Sequence, residues 1–323
     1  MVVRQLTDGQ ELDCVLLVRE RELRTKRDGS QYLRLTLGDR TGSVAAVVRD
    51  GVADLSAVCG SGAAVRVQGH YSVHPRYGAQ IAIRALRAAR EHEVDYGELL
   101  DGPPRDAAQM EADLRELIRT VQNPHLQALL DAVLGPHADT WRRFRDAPAA
   151  KRYHQAYRHG LLEHSLTVAQ SVSAIAANFP GIDRDVAVCG ALLHDIGKLD
   201  AYTADPLAID MTDAGKLQGE IPLGYYRVRR LIEDIPGFPP ELATAVVHII
   251  LSHHGALEHG SPVVPCTREA TLVHMIDNLG GRLGSFDRIE KGLGDGESWS
   301  GYDRALSGSA FFGARGQQHT RAA

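Results

Sequence analysis

The sequence has only four cysteines in 323 residues: Cys14, Cys59, Cys189 and Cys266, far apart and without a CxxC pair. This argues against a zinc ribbon or a disulfide framework, and the thiols read as free groups in a reducing compartment. Long apolar runs are also missing, because Arg, Asp or His interrupts every stretch well short of the ~18 residues of a membrane span. The first residues, Met-Val-Val-Arg-Gln-Leu-Thr-Asp, lack the apolar core of a secretory signal. A cytoplasmic protein with no membrane partner is expected. Aromatic residues make up 6% of the chain, so any tyrosine beside basic residues stands out. Nothing is biased enough to suggest wholesale disorder.

Charge is unevenly spread. Residues 1–90 carry 14 Lys and Arg against 9 Asp and Glu, whereas residues 91–323 carry 22 against 32. A basic front on an acidic body suggests that a polyanion is gripped by the N-terminal part.

The pattern divides accordingly. Short alternating segments separated by turn signals run over 12–18, 32–37, 43–48, 63–69 and 79–86, with a short helix expected at 52–59. Asp28-Gly29 and Gly38-Asp-Arg-Thr-Gly42 punctuate the first three. Five strands with a helix in that place predict a Greek-key barrel of the oligonucleotide-binding (OB) type over residues 1–90. Residues 91–147 read as a linker, Asp101-Gly-Pro-Pro-Arg105, and a helical connector. From there the period is helical, with helices expected at 156–178, 184–196, 222–234, 240–252 and 268–283. The fold class is α+β multidomain: a barrel, an all-α domain over 148–285, and a Gly-rich tail over 286–323 expected to be loosely ordered.

Chemistry-bearing residues interrupt the apolar helices of the second half. His164 lies in Gly-Leu-Leu-Glu-His, His194-Asp195 closes Ala-Leu-Leu-His-Asp, and Glu220 sits in Gln-Gly-Glu-Ile-Pro. His253-His254 follows Ile-Ile-Leu-Ser, and Asp277 lies in Val-His-Met-Ile-Asp. A buried carboxylate without a partner costs several kcal/mol, so Asp195 needs a cation or a hydrogen-bond network. Three buried helices that each deliver imidazole or carboxylate make a shared metal site the economical solution. Such ligands suit Mn²⁺, Fe²⁺, Co²⁺ or Zn²⁺.

The ordered set His164, His194-Asp195, His253-His254 and Asp277 resembles the HD superfamily of metal-dependent phosphohydrolases. The resemblance extends further, through Gln122-Asn-Pro-His-Leu-Gln-Ala-Leu129, His154-Gln-Ala-Tyr157, Leu192-Leu-His-Asp-Ile-Gly-Lys198, Leu251-Ser-His-His-Gly255 and His274-Met-Ile-Asp-Asn278. With the barrel in front, residues 10 to 285 look like the YhaM-type 3′-to-5′ exoribonucleases. The resemblance implies that His164, His194, Asp195 and Asp277 hold one divalent ion, and that Asp195 bridges to a second held by His253 and His254. Glu220 stands where the two-metal form of the motif usually has histidine. It also implies single-stranded RNA as substrate, with single-stranded DNA as a second candidate, and Mn²⁺ or Co²⁺ as activator.

In that reading Asp195 is catalytic as the bridging ligand, and Lys198 is a candidate to neutralise transition-state charge. His154, Arg158 and His159 are candidates for phosphate contacts or proton transfer to the leaving 3′-oxygen. The barrel supplies the grip through Arg19, Arg24, Lys26, Arg27, Tyr32 and Arg34, with Tyr71, His74, Arg76 and Tyr77 in the last hairpin. Two other functions are compatible with the residues: an HD phosphohydrolase of nucleotides or cyclic dinucleotides, and a single-strand-binding regulator without turnover.

Overall fold

A computed structural model describes residues 3–25, 28–49, 51–74, 78–100, 102–151, 155–203, 205, 209–291, 293 and 296–313. Strands β1 (Glu11–Thr25), β2 (Gln31–Asp39) and β3 (Gly42–Val48) form a meander, followed by helix α1 (Val52–Val58), β4 (Ala64–His74) and β5 (Gly78–Ala88). They close a barrel in the order β1-β2-β3-β5-β4, with β4 returning to β1 and only β3 and β5 parallel. This is the five-stranded OB-type arrangement expected from the alternation, with the helix between β3 and β4.

Period-two patterning fills the interior. Leu33, Leu35 and Leu37 of β2 point inward and are wholly buried, and meet Leu16, Val65, Val67 and Ile81. The buried Asp39 carboxylate ends β2 by accepting from the N–H groups of Val3, Thr41 and Gly42. β1 runs seven residues beyond its expected end, because its outer half pairs with β2 from Val18↔Leu37 to Thr25↔Gln31. Beyond Val18 that half carries charged residues on both faces with Leu23 as its one apolar side chain, so hydrophobic alternation could not mark it.

A short helix α2 (Tyr96–Leu99) fastens the connector to the barrel. The Arg19 guanidinium donates to the carbonyls of Asp39 and Leu99 at 3.3 and 3.0 Å, and is thereby spent on structure. Helices α3 (Ala107–Arg119), α4 (Pro124–Leu134) and α5 (Trp141–Asp146) lead into α6 (Gly160–Ala176) and α7 (Arg184–Leu193). Then come α8 (Lys198–Ala201), α9 (Asp213–Gln218), α10 (Glu220–Asp234), α11 (Pro240–Ser252) and α12 (Arg268–Lys291). Asp106, Asn123 and Asp183 cap α3, α4 and α7 through their side chains.

α7 is the centre of the helical domain. Every residue from Val186 to Leu199 is buried, as a helix apolar on all sides requires. It packs against α6, α11 and α12. Two expectations are corrected. α7 stops at Leu193 rather than 196, because His194 caps it and Asp195 lies in the following turn. The tail is not loose between 296 and 313: it folds back on α12, Asp303 pairs with Arg288 at 2.6 Å, and Phe312 is buried against Phe286. Trp299 and Phe311 stay exposed, with ring centroids 4.8 Å apart and planes tilted by 41°. Among the described residues no helix is long and apolar enough to cross a membrane.

Candidate metal centre

Two helices end in the same way. His194 caps α7 and His253 caps α11, and each donates from Nδ1 to the carbonyl three residues back, Ala191 at 2.7 Å and Ile250 at 2.8 Å. The last carbonyls of a helix lack intrahelical partners, so the imidazole satisfies one of them. A carbonyl can only accept, so Nδ1 carries the proton and Nε2 is left facing inward. His254 repeats the logic with the His259 carbonyl at 2.9 Å. His164, in the second turn of α6, uses the side-chain oxygen of Gln155 at 3.1 Å instead.

The four Nε2 atoms converge on three carboxylates, those of Asp195, Asp277 and Glu220. His164 Nε2 lies 3.1 Å from His194 Nε2, 3.3 Å from Asp195 Oδ2 and 3.1 Å from Asp277 Oδ1 on α12. Asp195 turns its other oxygen away from that set: Oδ1 is 3.5 Å from His253 Nε2. Beyond it, His254 Nε2 is 3.3 Å from Glu220 Oε1 at the first residue of α10. Ligand atoms of His164, His194 and Asp277 lie within 4.8 Å of one another, as do those of Glu220, His253 and His254. Asp195 stands between the two groups with one oxygen for each.

Glu220 reaches the site because α10 starts directly on the turn after α7. A side chain at Gly197 would collide with the Glu220 carbonyl and the Gly224 amide, so glycine there allows the close approach. The residue that departs from the histidine of the two-metal motif is therefore placed among the other candidate ligands.

The donors fit a cation. Asp195 Oδ1 and His253 Nε2 are both buried without a hydrogen-bond partner among the described residues, and they face each other. Burial holds the His253 ring below its usual pKa, so Nε2 presents a lone pair to a carboxylate oxygen. That pairing is repulsive unless a positive charge sits between them. On the other side, burial alone would lower His164, but its bonds to Asp195 and Asp277 outweigh it and raise it to about 9. Adjacent ligands of an ion with bonds of ~2.1 Å stand about 3 Å apart, close to the His164–His194 and His164–Asp277 separations.

Lys198 lies under this floor. It is 8% exposed and its Nζ donates to Asp195 Oδ2 at 2.6 Å. Burial works against its charge, but Asp195 and then Glu220 hold its pKa well above the ordinary lysine value. Asp195 is in turn held well below the carboxylate range: burial opposes this, and Lys198 and the histidines prevail.

The remaining candidates are scattered. Arg158 reaches Asp146 of α5 at 3.3 Å, and His159 bonds the Arg145 carbonyl at 2.8 Å, so both are engaged on α5. On the barrel, Arg24 is exposed, pairs with Glu22 at 2.9 Å and bonds Tyr32, its cross-strand partner. Arg34 is exposed, in register with Glu22 on the same face. His74 is exposed at the end of β4. Lys26, Arg27, Arg76, Tyr77 and His154 fall outside the described residues. Sequence reasoning overlooked Gln155, and also His274, whose Nδ1 donates to the His253 carbonyl at 2.7 Å and pins the His253–His254 turn. The signal for His274 was its place one turn before Asp277.

The HD domain family model matches residues 161–281. The proteins named 3′-5′ exoribonuclease YhaM of Geobacillus sp. (strain WCH70) and of Bacillus subtilis (strain 168) are 30% and 29% identical to this chain. The alignments cover 90% of this chain in both cases, and 88% and 90% of the relatives. Among solved structures, the second OB-fold domain of replication protein A from Methanococcus maripaludis is 19% identical. That comparison has a TM-score of 0.23 and covers 28% of this chain and 95% of that one. An OB-type barrel in front of a helical domain that matches the HD family model defines the class, a barrel-bearing HD-domain protein. The chain belongs to the YhaM family.

Proposed function

We propose that the chain is a divalent-metal-dependent 3′-to-5′ exoribonuclease of single-stranded RNA. Single-stranded DNA is a second candidate substrate. The observation that carries the chemistry is the pair of inward, buried, unpartnered atoms, Asp195 Oδ1 and His253 Nε2, inside a ring of imidazoles and carboxylates. The relatives named 3′-5′ exoribonuclease supply the polarity and the polymer.

His164, His194, Asp277 and Asp195 Oδ2 would hold one ion; His253, His254, Glu220 and Asp195 Oδ1 would hold the second. Bound divalent ions draw charge from a phosphodiester and lower the pKa of water to near neutrality. Glu220 adds negative charge and a hard oxygen, which favours Mn²⁺, with Co²⁺, Fe²⁺ or Zn²⁺ as alternatives. Lys198 keeps Asp195 ionised and in place, and its ammonium adds positive charge beneath the reacting phosphate. Arg158 and His159 precede α6 and, with His154, are candidates to bind the terminal phosphate. Residues 148–285 form the cleaving unit and residues 1–90 the gripping one, joined by 91–147. Arg24, Tyr32, Arg34 and His74 form the described part of the grip, continued by Lys26, Arg27, Arg76 and Tyr77. Cytoplasmic RNA is the setting consistent with four free cysteines.

A time course on 5′-labelled single-stranded RNA with Mn²⁺ tests this reading. It predicts a ladder that shortens from the 3′ end and disappears in EDTA. Intact RNA, with cleavage of nucleotides or cyclic dinucleotides under the same conditions, would overturn it in favour of a small-molecule hydrolase. RNA binding without turnover under any divalent ion would make the chain a regulator.

A further inference from the structure

Three of the four imidazoles in the centre are fixed by main-chain carbonyls. His194 and His253 cap helices and use the carbonyl three residues back; His254 uses that of His259. His164 has no such option, because it lies inside α6, where backbone carbonyls are already committed to the helix. Its Nδ1 instead meets Oε1 of Gln155 at 3.1 Å. Among the described residues it is thus a side chain, that of Gln155, that meets Nδ1 and sets the tautomer and tilt of this imidazole.

Gln155 is held for that task at some cost. Its φ is +55°, in the left-handed region that residues other than glycine rarely adopt. Its carbonyl accepts from the Ala149 amide at 3.1 Å. It also lies against the Cα of Gly160, the first residue of α6, where a side chain would collide with it. Two residues on, the Tyr157 hydroxyl donates to the buried Glu163 at 2.5 Å. Strained backbone retained by surrounding contacts next to a ligand has a function in view. The amide also has a polarity. With Oε1 toward Nδ1 the imidazole keeps its proton there and presents Nε2 as a lone pair. With the NH₂ toward Nδ1 the proton moves to Nε2 and blocks it.

We propose that Gln155 is the positioning residue for the first metal position: its amide oxygen fixes His164 with Nδ1 protonated and Nε2 directed at the ion. This rests on the reading that His164, His194, Asp195 and Asp277 hold a metal. Partners of ligating histidines typically change metal affinity 10–100-fold when removed.

The test is Mn²⁺ binding to the full chain by equilibrium dialysis at fixed pH, with thermal midpoints recorded alongside. Wild type, Gln155→Leu, Gln155→Glu, Gln155→Gly and His164→Ala are compared. Gln155→Leu is expected to weaken one of the two bound ions by ~10–100-fold and leave the other unchanged. Gln155→Glu, whose carboxylate accepts the same proton, binds within a few-fold of wild type. Gln155→Gly relieves the left-handed backbone yet weakens the same ion, which separates the hydrogen bond from loop strain and serves if the leucine variant does not fold. Equal binding in wild type and Gln155→Leu overturns the proposal, as does equal impairment by Leu and Glu. Failure of wild type to bind Mn²⁺, or unchanged binding in His164→Ala, overturns instead the metal reading on which it rests.

Discussion

In the helical domain the residues proposed to hold metal are hidden: His164, His194, Asp195 and His253 are each 3% exposed or less. In the barrel the residues assigned to substrate, Arg24, Arg34 and His74, lie in the open, with Glu20 and Glu22 beside the two arginines. The first arrangement is expensive and rigid, because buried charges must be paired and hydrogen-bonded. The second is cheap and adaptable, because exposed charges are screened and worth little singly. A centre that must hold ions at fixed spacing needs the first. A surface that must let a strand slide through needs the second. Substitutions should therefore act sharply in one half and gradually in the other.

The largest effect is expected at the bridging carboxylate. Asp195→Asn should lower turnover on RNA by at least about 10³-fold, since removal of several kcal/mol of charge stabilisation is multiplied tenfold per 1.36 kcal/mol. Steady-state rates with saturating Mn²⁺ check it, and a fall in rate of less than tenfold would remove Asp195 from the reacting centre. Next comes Lys198→Met, which leaves Asp195 buried without its counter-ion. Metal-free, that variant should lose ~3 kcal/mol of stability, and added Mn²⁺ should restore much of it. Denaturant melts with and without the ion decide this.

On the barrel, replacing Arg24, Tyr32 and Arg34 together by Ala should raise KM for RNA by ~10–100-fold at nearly unchanged kcat. It should also flatten the salt dependence of binding, by about one unit of slope for each phosphate that is no longer neutralised. An unaltered KM would move the grip elsewhere. The smallest effect concerns Asp200, which pairs with Arg227 at 2.5 Å and Arg143 at 3.0 Å. Burial would raise its pKa, but these two guanidiniums lower it overall. Its stabilising contribution is thus present above the unfolded carboxylate pKa of ~4 and fades as pH falls through the lower folded value. Asp200→Asn should cost about 1 kcal/mol at pH 7, shrinking toward zero in acid.

The same contrast explains what could be read from the sequence. Polar residues within apolar helices are conspicuous, so His164, His194, Asp195, His253, His254 and Asp277 were found from pattern alone, and the structure brings them together. Glu220 was ambiguous because it follows a glycine in a polar segment; the Gly197–Gly224 approach that seats it has no local signature. Gln155 was missed for a similar reason, since its role depends on a loop conformation. In the barrel, inward leucines of β2 announced the strand, but the polar outer half of β1 did not. Exposed residues of a strand look alike whether or not they touch a ligand, so the grip remains the least legible part.

A buried centre that cleaves and an exposed barrel that grips should separate by substrate size. Wild type, Asp195→Asn and the Arg24/Tyr32/Arg34 alanine variant, each as the full chain with Mn²⁺, would be assayed on two substrates. One is single-stranded RNA; the other is bis(p-nitrophenyl) phosphate, a diester too small to reach the barrel. Asp195→Asn is expected to lose both activities, whereas the barrel variant loses RNA turnover at low substrate and hydrolyses the small diester like wild type. A barrel variant equally impaired on both substrates, or an Asp195→Asn protein active on either, would contradict that separation.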